Sequence, residues 1–272
     1  MSLDLPLLIQ PEQLEAMLGE PDLLIVDTCQ PQNWAQLHIP GAVHINPSEL
    51  VCGVPPAAGK LPSLPMLSAT FARIGYHPDQ HIVVYDDEGG GWAGRFIWTL
   101  DVIGHKHYSV LDGGLHSWYK EQHPVTADVR AVTPTNVSLT IHPDVIAELD
   151  TVLESLGKPG VKIWDARSKE EYLGLRSSSA RAGHIPGAIN LDWLDVMDRS
   201  RNLRLLPLEQ IRTRLDELGI HAGDRIITHC QSHHRSGLTY LVAKLLGFDA
   251  QGYHGSWGEW GNNPDVPVEK IA

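Results

Sequence analysis

Cysteine is scarce in this chain: Cys29, Cys52 and Cys230 are the three that occur among its 272 residues. So small and odd a number argues against a framework of disulfides, and we expect free thiols in a reducing, cytoplasmic setting. Long apolar runs are missing too, so we expect neither a membrane-spanning helix nor a membrane partner. The first residues lack a basic segment followed by an apolar core, which argues against a secretory signal.

Positive charge is also in short supply. The chain has 21 Lys and Arg residues against 33 Asp and Glu residues, which gives a formal net charge of −12. This acidic balance argues against nucleic acid as a partner, because phosphate backbones are bound by clustered Lys and Arg. An anionic substrate must therefore be bound by a local group of positive side chains.

The residues around Cys230 have the pattern of a nucleophile. The apolar run Ile226–Cys230 predicts a strand, a polar loop follows, and apolar residues at helical spacing over Leu238–Leu246 predict a helix. Cys230 would then lie at the carboxyl end of the strand, where the loop amides and the helix N-terminus favour an anion. We expect this setting to lower the thiol pKa, with Arg235 adding a fixed positive charge.

Several residues are candidates for binding the substrate. His233 and His234 are predicted to line the mouth of the loop and to offer donors to an anion. Arg167, at the end of another predicted strand, suits either a structural salt bridge or a substrate contact, and we slightly favour the salt bridge. The predicted site comprises the catalytic Cys230 and these substrate-binding candidates: Arg235, His234, His233, Ser232, Gln231 and Arg167.

A metal site is the alternative interpretation of His229, Cys230, His233 and His234. Zinc ligands usually come as two separated pairs that converge on one point. These four residues instead share one tight turn, and a second pair is not evident in the sequence. We therefore expect neither a metal nor another cofactor.

The chain contains an internal duplication. The pentapeptide His-Ile-Pro-Gly-Ala occurs at residues 38–42 and again, 146 residues later, at residues 184–188. At an offset of 144, the apolar run that ends at Asp86 aligns with the run that ends at Cys230. Asp86 therefore occupies the position equivalent to the nucleophile, and the acidic loop after it is not expected to hold an anion.

Each half alternates short apolar strands with helices, which predicts an α/β fold with a mainly parallel sheet flanked by helices. The stretch between the halves is rich in Pro, Thr and Val and is predicted to be a linker. The predicted boundaries are 1–124 for the N-terminal domain, 125–142 for the linker and 143–272 for the C-terminal domain. The elements predicted in the second half are helices at Pro143–Leu156, Leu208–Leu218 and Leu238–Leu246, and strands at Lys162–Asp165, Ala188–Leu191, Ile226–Cys230 and near Gln251–His254.

The chain resembles a tandem-domain rhodanese, a thiosulfate sulfurtransferase, of the bacterial type. The resemblance spans nearly the whole length and rests on Asp165–Arg167, the two His-Ile-Pro-Gly-Ala segments, the Cys-Gln-Ser-His-His-Arg-Ser loop from Cys230 and the closing Gly255–Trp260. It implies two rhodanese-like domains. The C-terminal one is catalytic, and the N-terminal one is inactive because a carboxylate at Asp86 cannot carry a persulfide.

One position departs from the family pattern. Family members often carry a second substrate-binding arginine four residues after the one that matches Arg167, but Glu171 stands there in this chain. Arg176 and Arg181, in the following loop, are alternatives that the sequence leaves open.

The resemblance implies sulfur transfer by double displacement. Cys230 would take the outer sulfur of thiosulfate as a persulfide and pass it to a thiophilic acceptor, which is cyanide, a thiol or a protein. 3-Mercaptopyruvate is the alternative donor, but its users typically continue Gly-Ser-Gly-Val-Thr after the cysteine, unlike this loop. A persulfide carrier or regulatory module would use the same residues and is the alternative from another class.

A cysteine phosphatase of the same fold is the rival enzyme. Such phosphatases have one residue more between cysteine and arginine than the four that separate Cys230 from Arg235. The shorter loop suits a sulfur atom and crowds a phosphoryl group. The spacing therefore favours sulfur transfer.

Overall fold

The computed structural model of the chain describes residue 3 and residues 5–270. It forms two compact units, and each unit includes a short segment that lies within the other half of the sequence. The first unit consists of the chain up to Leu50, Pro62–His142 and Asp198–Leu205, and the second of Val51–Leu61, Pro143–Met197 and the chain from Leu206 onward. In the described part of the chain, no helix has the length and apolar character needed to cross a membrane.

The first unit is built on a five-stranded parallel sheet with the strand order β1-β5-β4-β2-β3. All residues of β2 (LLIVD) and β4 (HIVVY) are buried, as expected of central parallel strands with helices on both faces. Its strands are β1 Leu8–Ile9, β2 Leu23–Asp27, β3 Val43–His44, β4 His81–Tyr85 and β5 Tyr108–Leu111, and its helices are α1 Pro11–Glu15, α2 Pro31–Gln36, α3 Leu64–Arg73, α4 Gly91–Val102 and α5 Gly114–Lys120.

The second unit repeats this plan, with the strand order β6-β12-β11-β7-β8 in a second parallel sheet. A separate pair, β9 Met197–Asp198 and β10 Arg204–Leu205, lies between its elements in sequence. The sheet strands are β6 Ile146–Ala147, β7 Val161–Asp165, β8 Ile189–Asn190, β11 Arg225–His229 and β12 Asp249–Tyr253, and the helices are α6 Leu149–Ser155, α7 Lys169–Tyr172, α8 Leu208–Glu217, α9 Arg235–Leu245 and α10 Ser256–Trp260.

The predicted helix at Pro143–Leu156 is wrong in its first half. Pro143–Val145 forms a 3-10 turn, Ile146–Ala147 forms β6, and the helix α6 begins at Leu149. The reason is tertiary, because Ile146 and Ala147 pair with Gly252 and Tyr253 at the edge of the sheet. The helical spacing of apolar residues cannot report such an edge pairing.

The two segments that cross between the halves were not predicted from the sequence. Val51–Leu61 packs with the second unit, and Asp198–Leu205 packs with the first. The predicted linker, residues 125–142, belongs to the first unit, where Thr126 bridges to His38 and the Thr135 amide donates to the carbonyl of Ala72. Amino-acid composition predicts that this stretch is not helical, but it does not show which of the two units the stretch packs against.

The core of the second unit provides a direct test of this packing. Ile227 in β11 is fully buried, so Ile227→Ala should lower the free energy of unfolding by about 2–5 kcal/mol through lost burial and a residual cavity. Urea denaturation followed by circular dichroism measures this change. The control is Leu175→Ala, at a side chain that is 76% exposed and should change stability by less than about 0.5 kcal/mol. Equal small effects of the two substitutions would contradict the described core.

Candidate active site

Cys230 follows β11 directly, and α9 begins five residues later at Arg235. β11 is the middle strand of its sheet, with β12 on one side and β7 on the other. The carboxyl ends of central parallel strands are where α/β proteins bind ligands. The predicted setting of a strand, a short loop and a helix around Cys230 is therefore present.

The carbonyl groups of this loop are turned away from its interior. The Cys230 oxygen accepts a hydrogen bond of 2.9 Å from the Trp257 amide, and the Gln231 oxygen accepts one of 2.9 Å from the Gly258 amide. In a trans peptide the carbonyl and the next N–H point in opposite directions. The N–H groups that follow these carbonyls are therefore turned toward the concave side of the loop, the arrangement that binds anions.

His233 shapes the loop through its backbone. Its φ of 55° lies in the left-handed region, which is unusual for a residue other than glycine. Ser256 has a similar φ of 52°, and its hydroxyl accepts from the Cys230 amide at 3.3 Å. Strained conformations of this kind cluster at functional sites, where the surrounding structure holds them in place.

The Cys230 thiol is 1% exposed and ionises below its ordinary pKa. Burial by itself would raise this pKa, but the Arg235 charge, two hydrogen bonds from Ser236 and the His234 charge lower it by more. A thiolate is the nucleophilic form of cysteine, so this environment increases the reactive fraction near neutral pH. The predicted lowering of the thiol pKa agrees in direction with the structure.

His233 does not line the mouth of the loop, contrary to the sequence-based prediction. Its side chain is fully buried, and its Nδ1 lies 2.7 Å from the Ser236 hydroxyl. Since Ser236 also contacts the thiol, His233 supports the group that stabilises the thiolate. The sequence did not predict this contact, because Ser236 lies before the apolar residues whose spacing predicted the helix.

Arg235 is held by a buried carboxylate. Its two terminal nitrogens donate to the oxygens of Glu171 at 2.6 and 2.9 Å, a bidentate pair. Burial would raise the pKa of Glu171, but the hydrogen bonds and charge of Arg235 lower it below its ordinary value. Glu171 is itself fixed by a capping box with Ser168 at the start of α7.

The other predicted binding residues are partly buried around the loop. Gln231 donates from its side-chain amide to the Ser179 hydroxyl at 3.1 Å. The ring of His234 lies 5.7 Å from the ring of Trp193, centre to centre. The Ser232 carbonyl faces Gly59. Of these side chains, His234 is the one whose charge helps to lower the pKa of the Cys230 thiol.

Arg167 lies in the core with its guanidinium already engaged. It donates to the Asp165 carboxylate at 2.6–3.1 Å and to the Gly183 carbonyl at 2.9 Å, and it stacks on Trp257 at 4.4 Å from the ring centre. Its side chain is 1% exposed. These contacts support the structural salt bridge over the substrate contact.

Arg176 and Arg181, the two alternative substrate-binding arginines, differ in their surroundings. Arg181 donates to the carbonyl groups of Trp260, Val266 and Asn263 and so ties its loop to the end of the chain. Arg176 is 75% exposed and lies 4.0 Å from the Glu171 carboxylate. Arg176 is thus the freer of the two cations near the site.

The equivalent loop of the first unit is filled by its own side chain. One oxygen of the Asp86 carboxylate accepts from the amides of Glu88, Gly89 and Gly90 at 2.9–3.1 Å, and the other accepts from Ala93 at 3.0 Å. Burial and the Glu88 charge nevertheless raise the pKa of Asp86 to about 6. The amides that could bind an anionic ligand are therefore taken by a carboxylate of the chain itself, in keeping with the expectation for this loop.

Cys29 and Cys52 lack the features of a nucleophile. Both are free thiols, as is Cys230. Burial and the charge of Asp27 raise the pKa of Cys29 far above its ordinary value. Cys52 contacts carbonyl groups of its own loop, at Ala57 and Ala58.

The histidines beside Cys230 do not form a ligand cluster. Burial lowers the pKa of His229 to about 4, and its Nε2 lies 3.5 Å from the Asp165 carboxylate. Among the described residues, the structure does not bring the ligand atoms of His229, Cys230, His233 and His234 within 4.8 Å of one another. The fold thus separates residues that the sequence places side by side.

Some functional neighbours were missed in the sequence. Ser236 and Ser256 approach Cys230, and Glu171 pairs with Arg235. The capping-box pattern from Ser168 to Glu171 is visible in the sequence and predicts a helix start, but not its ionic partner. Pairings across 64 residues of chain, as between Glu171 and Arg235, need the tertiary structure.

The fold and the site define an α/β protein with a buried thiol of lowered pKa at the carboxyl end of its central parallel strand. Matches to the Rhodanese-like domain cover residues 10–121 and 148–263. The chain therefore belongs to the rhodanese family, with two copies of the domain. This confirms the predicted family and the predicted duplication.

Curated relatives match nearly the whole chain. A thiosulfate sulfurtransferase of Azotobacter vinelandii is 49% identical over 266 residues, which are 97% of this chain and 97% of that protein. A thiosulfate sulfurtransferase of Pseudomonas aeruginosa is 48% identical, with 98% of each chain covered. A sulfur carrier protein of Thermus thermophilus, TtuD, is 32% identical over 73% of this chain and 74% of its own.

A solved structure shares the fold at low sequence identity. The anaerobic ergothioneine biosynthesis enzyme of Chlorobium limicola superposes with a TM-score of 0.85 at 20% identity, over 98% of this chain and 70% of the enzyme. At this identity the similarity is one of fold.

The contacts of Ser236 with the thiol predict how the thiol titrates. Ser236→Ala removes a hydrogen bond that stabilises the thiolate, so the Cys230 pKa should rise and alkylation at pH 7 should slow about tenfold, in line with the contribution of one hydrogen bond to a charged group. The rate of iodoacetamide alkylation of the Cys230 peptide, followed against pH by mass spectrometry, measures this pKa. Thr99→Val, which removes a buried hydroxyl in the first unit, should leave the pKa unchanged. An unchanged titration in Ser236→Ala would rule out this role.

Proposed function

We propose that the protein is a thiosulfate sulfurtransferase that moves sulfane sulfur through a persulfide on Cys230. The observation that carries this proposal is the Cys230 loop, with its lowered thiol pKa and outward-facing carbonyl groups. The names of the relatives that are 48–49% identical over almost the full length support thiosulfate as the donor. The persulfide and the roles of the site residues are part of the proposal.

The first half-reaction forms the persulfide. The Cys230 thiolate attacks the outer sulfur of thiosulfate, a sulfur–sulfur bond forms, and the bond between the two sulfurs of thiosulfate breaks. Sulfite leaves with the electron pair of that bond. Covalent catalysis of this kind divides one transfer into two easier displacements.

The second half-reaction regenerates the thiolate. A thiophilic acceptor, cyanide or a thiol, attacks the outer sulfur of the persulfide and takes it, and Cys230 leaves as a thiolate. Cyanide becomes thiocyanate, and a thiol becomes a persulfide. The leaving Cys230 is stabilised by the same contacts that lower its pKa, namely Arg235 and Ser236.

Arg235 and His234 have different roles in binding the sulfur donor. Both terminal nitrogens of Arg235 donate to Glu171, so Arg235 acts on the thiolate and on the donor through its charge. His234, at the N-terminus of α9, offers a ring donor to the sulfonate oxygens of thiosulfate. The pairing with Glu171 keeps Arg235 fixed while the substrate anions enter and leave.

A sulfur carrier that delivers to a protein acceptor is the second candidate function. It is favoured by the 32% identity to the sulfur carrier protein of Thermus thermophilus. The chemistry at Cys230 would be the same, and the acceptor would differ. 3-Mercaptopyruvate as donor is a further alternative. We also propose a cytoplasmic location, in which a reducing environment preserves the Cys230 thiol.

Incubation with thiosulfate alone tests the persulfide. It should add one sulfur atom, about 32 Da, to the Cys230 peptide and release one equivalent of sulfite, and cyanide should remove the added mass. Cys230→Ala should abolish both signals, whereas Cys29→Ala should keep most of the activity. Sulfite release by Cys230→Ala would overturn the proposal. Faster pyruvate release from mercaptopyruvate than sulfite release from thiosulfate would favour the other donor.

The length of the loop predicts that aryl phosphates are poor substrates. With four residues between Cys230 and Arg235, a phosphoryl group should fit badly, and hydrolysis of p-nitrophenyl phosphate should be negligible beside consumption of thiosulfate. Insertion of one residue between Ser232 and His234 should lower sulfur transfer, because the amides no longer converge on the added sulfur. Wild-type protein that hydrolyses the phosphate faster than it consumes thiosulfate would support a phosphatase instead.

A further inference from the structure

Val51–Leu61 is a compact loop within the second unit, although its sequence lies in the first half of the chain. We call these residues the strap. The strap is internally bonded: the Cys52 amide donates to the Lys60 carbonyl at 2.7 Å, and the Gly53 amide donates to the Ala58 carbonyl at 3.0 Å. These bonds give the strap a definite shape of its own.

The strap is fastened to the second unit by charges and by one backbone hydrogen bond. The Lys60 ammonium lies 3.1 Å from the Glu148 carboxylate and 2.8 Å from the Glu259 carboxylate. The amide of Leu61 donates to Nδ1 of His254 at 3.1 Å. Glu259 belongs to α10, the helix whose first amides bind the carbonyl groups of the catalytic loop.

The strap also touches the catalytic loop itself. A Cβ built at Gly59 would overlap the Ser232 carbonyl oxygen and lie 2.5 Å from the carbonyl carbon. A Cβ at Gly258 would lie 2.8 Å from the carbonyl oxygen of Pro56. Because Gly59 has no side chain, its backbone lies directly against the Ser232 carbonyl. The Pro56 carbonyl packs against the start of α10.

Three successive carbonyl groups of the loop are thus directed outward by identified partners. The Trp257 amide holds that of Cys230, the Gly258 amide holds that of Gln231, and Gly59 receives that of Ser232. The Ser232 carbonyl faces the strap, so the N–H of the next residue points the other way. The strap therefore completes the set of contacts that turns the loop amides toward the thiol.

We propose that Gly59 is a positioning residue for sulfur transfer, and that the strap holds the Ser232 peptide in the orientation that the catalytic loop requires. The inference rests on the proposed function of Cys230. It assigns to the first half of the sequence a direct part in the reaction of the second unit. The equivalent segment of the first unit, Asp198–Leu205, bonds to Asp112 through the Leu205 amide in the way that Leu61 bonds to His254.

Gly59→Ala in the full-length protein tests the inference. The φ of Gly59 is outside the left-handed region, so alanine suits the backbone, and the atoms nearest to its methyl group are the carbonyl group and Cα of Ser232. Displacement of this peptide should raise the Cys230 thiol pKa and lower kcat for sulfur transfer about tenfold to a hundredfold. Iodoacetamide alkylation against pH reports the thiol pKa without any sulfur donor.

Gly219→Ala is the matched control, at a glycine of the second unit that lies outside the strap and outside the catalytic loop. Its φ is +88° and its surroundings are open, so alanine strains the backbone there without touching either segment. This variant should lose stability but keep the wild-type thiol pKa. If Gly59→Ala behaves like Gly219→Ala or like wild type in thiol pKa and kcat, the inference is wrong.

Lys60 provides a second route should Gly59→Ala fail to fold. Lys60→Met removes the two ion pairs of the strap and should shift the thiol pKa and kcat in the same direction by a smaller factor, whereas Lys60→Arg should restore both. Equal values in the two variants would overturn the inference. Failure of the proposed function is separable, because wild-type protein would then form no persulfide from thiosulfate, whatever the thiol pKa of the variants.

Discussion

The backbone hydrogen bonds that join the Cys230 loop to α10 set the orientation of the peptide groups around the thiol. The carbonyl groups of Cys230 and Gln231 accept from the amides of Trp257 and Gly258 in α10, so the N–H groups that follow these carbonyls face the interior of the loop. Each carbonyl that is satisfied outside the loop leaves an amide free to act inside it. Beside this backbone arrangement, the Arg235 charge and the Ser236 hydrogen bonds lower the pKa of the Cys230 thiol.

In both units, the residue that follows the central strand is held by the same kind of backbone hydrogen bond. In the first unit the Asp86 carbonyl accepts from the Leu115 amide at 2.8 Å, and in the second the Cys230 carbonyl accepts from the Trp257 amide at 2.9 Å. The Asp86 side chain then fills its own cradle with a carboxylate, whereas a thiol stands at the equivalent position of the second unit. The two units therefore share this backbone contact but differ in the side chain at that position and in the loop that follows it.

Charge near the thiol is balanced rather than strongly positive. The Arg235 guanidinium is paired with the buried Glu171 carboxylate, and the whole chain carries a formal charge of −12. A buried ion pair of this kind fixes geometry more than it adds stability, because both groups have lost their hydration. We infer that the pair keeps the Arg235 charge at a constant distance from sulfur, while Ser236 and the loop amides provide the close contacts.

The residue pattern alone predicted the duplication, the α/β class and the position of the candidate nucleophile. These follow from local periodicity and from repeated motifs, which survive in the order of residues along the chain. The strand before Cys230 and the helix after it were predicted for the same reason, and both are present as β11 and α9.

The residues that surround Cys230 follow from the tertiary structure. Arg235 pairs with Glu171, and Val51–Leu61 lies in the second unit, so both contacts join residues that are far apart in the sequence. His233 is buried against Ser236, although its sequence position predicted a side chain at the mouth of the loop. The edge strand β6 replaced a predicted helical turn because its partner, β12, lies about a hundred residues away. Such contacts depend on the packing of whole elements, and no local pattern of residues encodes them.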